Sequence, residues 1–182
     1  MRKLSMAELQ RKSVEDFKEA EKVPVVIVLD NIRSMHNVGS IFRTADGFLM
    51  KGIYLCGFTP CPPHRDINKT ALGATETVDW SYFSTTMEAA LRLKEQGFTL
   101  VAVEQVEESL SPEQLEFPEN GQLALIFGNE VDGVSEEVLS LCEAAIEIPQ
   151  MGMKHSLNVS VAAGIVLWEM SKSYLIQRKK ND

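Results

Sequence analysis

Residues 31–43, "NIRSMHNVGSIFR", crowd Asn31, Arg33, His36, Asn37 and Arg43 around a single glycine, directly after the apolar run "VPVVIV". Carboxamides donate and accept hydrogen bonds in fixed directions, and a guanidinium grips phosphate or carboxylate with a planar fork. Two later segments carry similar chemistry. "GNEVDG" holds Glu130 between Gly128 and Gly133, and "GMKHSLNVS" sets Ser156 and Asn158 ahead of an apolar helix. If residues 38–50 are helical, Val38, Ile41, Phe42, Ala45 and Leu49 form one apolar stripe. Arg43 then lies on another face, four residues after Gly39. Helical side chains lean toward the N-terminus, so Arg43 is expected to reach over the bare Gly39 backbone toward the loop at Asn31. A helix N-terminus favours anions, and an arginine beside it suits a phosphate or carboxylate. Each motif also has a plainer reading. Arg43 and Asp46 can pair on an exposed helix face. Gly-x-Glu-x-x-Gly alone is common in loops. Ser156 can cap the last helix, with Asn158 an ordinary residue of its first turn.

The elements that must position these residues follow from periodicity. Ser5 and Glu8 form a capping-box pattern that predicts a helix to about residue 21. Apolar runs at 24–29, 52–56, 98–103, 123–127 and 144–148 predict strands. Helices are predicted over 38–50, in a short patch at 69–72, over 84–96, from about 135, and from about 157 into the 170s. Strands that read as continuous apolar runs and alternate with helices indicate an α/β domain with a mainly parallel sheet. Ligands of such sheets bind off the carboxyl ends of the strands, where all three polar loops can converge. The last helix, "NVSVAAGIVLWEM", is apolar nearly all round, so the domain or a second subunit must bury it on several sides.

Composition narrows the classes. The chain has 182 residues and a net charge of −8, which argues against nucleic-acid binding by bulk attraction but leaves room for a local basic site. Arg2, Lys3, Arg11 and Lys12 lie at one end, and Arg178, Lys179 and Lys180 at the other. The acids from Glu104 to Glu119 read as a solvent loop. No apolar run reaches the ~20 residues that cross a bilayer, and no signal-peptide stretch is evident, so the expectation is a cytoplasmic protein without a membrane contact. Three cysteines, loosely placed, fit a reducing compartment. Cys56, Cys61 and His64 supply only three clustered ligands, so no metal is expected. A Rossmann dinucleotide site needs Gly-x-Gly-x-x-Gly after the first strand and an acid closing the second, and neither is present.

Together the three loops resemble the signature motifs of the SpoU, or TrmH-like, family of RNA methyltransferases in the SPOUT superfamily. The first is matched by Asn37, Gly39, Arg43 and Ala45, the second by Gly128, Glu130 and Gly133. The third is matched by Ile148, Pro149, Gly152 and residues 156–160. All three occur in the family's order. This chain departs from it at Ser34 and Met35, where Asp-Pro is frequent, and at Gln150, where Met is frequent.

The resemblance implies a mainly parallel α/β sheet with helices on both faces and a C-terminal trefoil knot. It implies a 1–22 helical extension on a 23–182 methyltransferase domain, and a homodimer. S-adenosylmethionine would bind through the positions of Gly128, Ile148 and Leu157, and by position Val103, ending another strand at the same edge, joins them. The implied reaction methylates a ribose 2′-hydroxyl of tRNA or rRNA. Arg43 would activate that hydroxyl, Asn37 orient Arg43 or the ribose, Glu130 hold the loops or Arg43 in place, and Ser156 and Asn158 position the ribose and close the site. Arg33, His64, Arg65, Lys69 and the basic termini are the candidates for gripping RNA. The alternative is a non-catalytic RNA-binding module that retains the fold.

Overall fold

The computed structural model describes residues 1–5, 7–9 and 12–181. Six strands form one sheet: β1 (Val23–Asp30), β2 (Met50–Cys56), β3 (Trp80–Phe83), β4 (Thr99–Val103), β5 (Leu123–Phe127) and β6 (Ala144–Ile146). Their order is β3-β2-β1-β5-β4-β6, and every neighbouring pair is parallel. The carboxyl ends of all six strands therefore share one edge. The helices are α1 (Val14–Glu19), α2 (Met35–Gly47), α3 (Arg65–Ala71), α4 (Ala74–Thr77), α5 (Thr86–Glu95), α6 (Glu136–Leu139) and α7 (Val159–Asn181).

Alternation along the central strands separates two cores. Ile27, Leu29, Leu125 and Phe127 pack with Val38, Ile41 and Phe42 of α2 and with Ala163, Val166 and Leu167 of α7. Val26, Val28, Ala124 and Ile126 face the other way, toward Ala89, Ala90 and Leu93 of α5 and Val138 of α6. Successive side chains of a strand point to opposite faces, so a sheet clad on both sides needs apolar residues at every position. Each fully buried Val, Leu, Ile or Phe contributes ~1.5–3 kcal/mol, which makes β1 and β5 the rigid centre. Burial also pushes the Cys56 thiol up to about 12 and the Cys142 thiol up to about 11, so neither is a reactive thiolate near neutrality.

Several boundaries differ from expectation. The predicted helix over 5–21 crosses residues 6, 10 and 11, which lie outside the described residues, as does the expected basic contribution of Arg11. Ser5 and Glu8 do bond, Ser5 N–H donating to Glu8 at 2.7 Å, but they close only a 3-10 turn at Ala7–Leu9. A second capping box at Ser13 and Asp16 opens α1. Helix α2 starts earlier than predicted because Ser34 caps it, and it ends at Gly47, so Leu49 falls outside its stripe. Strand β3 was not expected, and α6 is a single turn.

Residues 159–179 of α7 are long and apolar enough by composition to cross a membrane, with a mean hydropathy of 1.2, but Glu169 and Lys172 break the run before it reaches ~20 apolar residues. Here Ala163, Val166, Leu167 and Met170 are fully buried in the domain core. The chain's first segment joins the same core: Phe17 is buried, and Glu21 pairs with Arg178 of α7 at 2.9 Å.

Candidate active site

Two helix caps set the geometry. Ser34 Oγ accepts the Asn37 N–H at 3.3 Å, which places Asn37 in the first turn of α2. Asn158, rather than Ser156, serves the start of α7. Its Oδ1 accepts the Ser160 N–H at 3.0 Å and the Ser160 hydroxyl at 2.6 Å. With that oxygen engaged, Asn158 Nδ2 donates to Asn37 Oδ1 at 3.1 Å, and Asn37 Nδ2 donates to Glu130 Oε1 at 3.1 Å. The relay has one direction, from helix cap to carboxylate, because each amide oxygen is already accepting. It joins residues from three loops, separated by 121 and 93 positions in sequence.

The loop bearing Glu130 is tightly folded. A Cβ on Gly128 would collide with the backbone of Gly133 and Val134. Gly133 adopts a φ of 66°, and Asn129 Oδ1 accepts the N–H groups of Val131 and Asp132, both at 2.9 Å. Glu104 fastens the loop to the end of β4, accepting the Val134 N–H at 3.0 Å and its neighbour Gln105 N–H at 2.9 Å. Glu104 is thus half-buried and structural at the site, not part of a solvent loop as its acidic surroundings suggested. The available signal was its position directly after a parallel strand.

A cavity of about 420 Å³ opens between these loops. Val103, Gly128, Glu130, Ile148, Ser156, Leu157 and Asn158 line it, together with Phe127, Ile146, Glu104, Gln105 and His155, which were not anticipated as site residues. Volume and mixed lining suit a nucleoside-sized ligand. Every charged residue from Glu95 to Glu147 is an acid, so the surrounding field favours a cationic ligand.

Asn37 joins this cavity through the relay, but Arg43 does not line it. Arg43 is exposed and forms no hydrogen bond or ion pair among the described residues. The plainer Arg43–Asp46 pairing does not form; Asp46 accepts the Thr77 hydroxyl. The expected reach of Arg43 over open backbone at Gly39 is also corrected. Gly39 is buried under α3, where a Cβ would meet the Ile67 carbonyl and the Thr70 hydroxyl. Its lack of a side chain serves helix contact.

The other half of the edge has the opposite charge. Between Asn31 and Arg65, Asp46 is the only acid, while Arg33, Arg43 and Arg65 are exposed. His64 and Lys69 are engaged locally, His64 Nδ1 accepting the Asp66 N–H at 3.1 Å and Lys69 pairing with Asp66 at 2.6 Å. At the chain's ends, Arg2 pairs with Glu8 at 2.7 Å.

This arrangement can be compared with known proteins. The model of the SpoU rRNA Methylase family matches residues 24–168. The chain belongs to this family. A tRNA (guanosine(18)-2′-O)-methyltransferase of Thermus thermophilus is 33% identical over 168 residues, covering 92% of this chain and 84% of that protein. The 23S rRNA (guanosine-2′-O-)-methyltransferase RlmB of Vibrio parahaemolyticus is 30% identical over 169 residues, 92% of this chain and 67% of that protein. Among solved structures, the A. aeolicus TrmH/SpoU tRNA modifying enzyme aligns with a TM-score of 0.80 at 27% identity, over 90% of this chain and 82% of that one. An AdoMet-bound rRNA methyltransferase from Sinorhizobium meliloti aligns at 0.76 and 26% identity, over 86% of this chain and 59% of that one.

Proposed function

We propose that the three loops divide a single methyl transfer between them. The chain is an S-adenosylmethionine-dependent RNA methyltransferase acting on a ribose 2′-hydroxyl of tRNA or rRNA. The donor brings a methyl group already activated on a sulfonium. The protein therefore has to bind, align and assist loss of the hydroxyl proton.

Val103, Gly128, Ile148 and Leu157 would hold the donor in the acidic cavity, whose size, apolar walls and negative field suit an adenosine carrying a cation. Glu130 keeps Asn37 and Asn158 in register, and Ser156 at the mouth orients the ribose. Arg43, without a partner among the described residues, is available for the phosphate beside the target ribose and for the negative charge that develops on its oxygen. Guanidinium groups keep their proton to about pH 12 or above, so electrostatic activation is a better role for it than proton abstraction. The observation carrying this reading is the Asn158–Asn37–Glu130 relay at the cavity mouth.

The finer assignments belong to the same proposal. The C-terminal part of the chain would thread through a loop to form a trefoil knot. Residues 1–22 are an appendage to a 23–182 catalytic domain, and the protein works in the cytoplasm. A homodimer would cover Val161, Ile165, Trp168 and Leu175, which recur at helical spacing along α7 and are all exposed. A monomer in analytical ultracentrifugation at micromolar concentration would overturn that dimer.

Labelled S-adenosylmethionine with unmodified total RNA tests the function. Label should appear at a linkage that resists alkaline hydrolysis, as a 2′-O-methyl requires. Label only on a base would contradict the ribose assignment. Binding of RNA without any calorimetric signal for S-adenosylmethionine would instead identify a non-catalytic RNA-binding module.

A further inference from the structure

We infer that Phe58 is a base-stacking platform for an unpaired nucleotide of the RNA substrate. This rests on the RNA methyltransferase reading above. Phe58 sits in the loop after β2 with 71% of its surface exposed, and it has no ring or cation partner among the described residues. An isolated exposed phenylalanine is ordinary on a mobile loop. Here the residues on both sides are fastened.

Asn31, at a φ of 56°, accepts the Phe58 N–H on Oδ1 at 3.1 Å and donates from Nδ2 to Asp30 at 2.8 Å. Gly57 has a φ of 62°, and a Cβ there would collide with Asn31 Oδ1. Tyr82 donates its hydroxyl to the Gly57 carbonyl at 3.1 Å. On the far side Thr59 is buried. Its hydroxyl accepts the Ile32 N–H and donates to the Leu29 carbonyl, both at 3.0 Å. These bonds tie the Phe58 loop to the loop that carries Arg33 and leads into Asn37. They also leave the ring as the part of that segment turned to solvent.

The charge around it selects the occupant. Phe58 lies in the 31–65 stretch whose exposed arginines, Arg33, Arg43 and Arg65, have no ion pair among the described residues, and whose one acid, Asp46, is bonded to Thr77. A fixed aromatic face in a stretch whose exposed arginines have no ion pair among the described residues, on a chain of net charge −8, matches how proteins hold single-stranded RNA. Cations track the phosphates, and a π-face takes a base of any identity. Stacking a base near the target adds binding energy for an unpaired segment without touching the reacting groups.

The test compares Phe58→Ala, Phe58→Leu and Phe58→Trp with the wild type. Binding of a fluorescein-labelled 12-residue oligoadenylate is followed by anisotropy, and methyl transfer is followed against the concentration of unmodified total RNA. Phe58→Ala and Phe58→Leu should each weaken oligoadenylate binding by about tenfold and raise KM for RNA similarly. Both should leave kcat, S-adenosylmethionine affinity, melting temperature and the salt dependence of RNA binding unchanged, since neither removes a charge. Phe58→Trp should restore affinity. Full function in Phe58→Leu, or RNA affinity within twofold of wild type in Phe58→Ala, would overturn the platform. So would a changed association state with unaltered RNA binding, which would mark Phe58 as a protein contact. If the wild type neither binds S-adenosylmethionine nor methylates RNA, the underlying reading falls and the platform with it. A wild type that methylates, alongside an unaffected Phe58→Ala, removes the platform alone.

Discussion

The two halves of the sheet's carboxyl edge differ in charge and in construction. From Asn31 to Arg65 the edge is cationic, with helices α2 and α3 packed directly behind it. From Val103 to Leu157 it is acidic and built from folded loops around a cavity. A cationic methyl donor and a polyanionic acceptor have opposite electrostatic needs, and one uniform surface would repel one of them. On the proposed assignment, dividing the edge would let each partner approach its own side, with the Asn158–Asn37–Glu130 relay between the two. The comparison teaches that net charge is a poor guide to nucleic-acid binding when the charge is segregated.

Substitutions can separate the halves. Gly128→Ala should have the largest effect on cofactor binding. Its Cβ would drive Gly133 and Val134 outward at a cost of ~1–3 kcal/mol. Calorimetry should then show S-adenosylmethionine binding weakened ~10- to 100-fold, with RNA affinity unchanged. Unaltered cofactor affinity would mean that this loop does not hold the donor.

Asn37→Asp attacks the junction by setting a second carboxylate against Glu130. Two carboxylates at that distance resist ionising together, so one pKa must rise. Turnover should fall by roughly tenfold near neutrality, for a lost hydrogen bond to a charged group. It should recover relative to wild type as pH falls, because a protonated carboxyl can donate in place of the amide. A pH-independent loss would show that the relay's direction is unimportant. Arg65→Ala should be mildest. It should lower the slope of log affinity for RNA against log salt by about one and leave S-adenosylmethionine binding untouched.

Much of this was legible in the sequence because the central strands are buried on both faces. Leu123–Phe127 reads as five apolar residues in a row, and the structure places β5 over that span. The mixed segment 80–83 gave no such signal. Trp80 and Phe83 are half-buried while Ser81 and Tyr82 are exposed, and pairing with β2 makes it a strand. At the site, glycines and amides marked the loops, but periodicity could not say what each glycine contacts. Gly39 read as clearance for Arg43, whereas α3 fills that space. Glu104 vanished into a run of acids, because only the folded chain sets its carboxylate against the Val134 N–H. Asn158 looked like a first-turn residue, and its link to Asn37 depends on a contact across 121 positions.

The division of labour is tested most directly by Arg43→Ala, with methyl transfer and S-adenosylmethionine affinity measured on the same preparation. Loss of an electrostatic stabiliser of the reacting oxygen should reduce kcat by ~10²- to 10³-fold. Cofactor affinity should stay within about tenfold, because Arg43 lies outside the cavity. Near-normal turnover, or loss of cofactor binding in step with turnover, would contradict the separation of the cationic edge from the donor cavity.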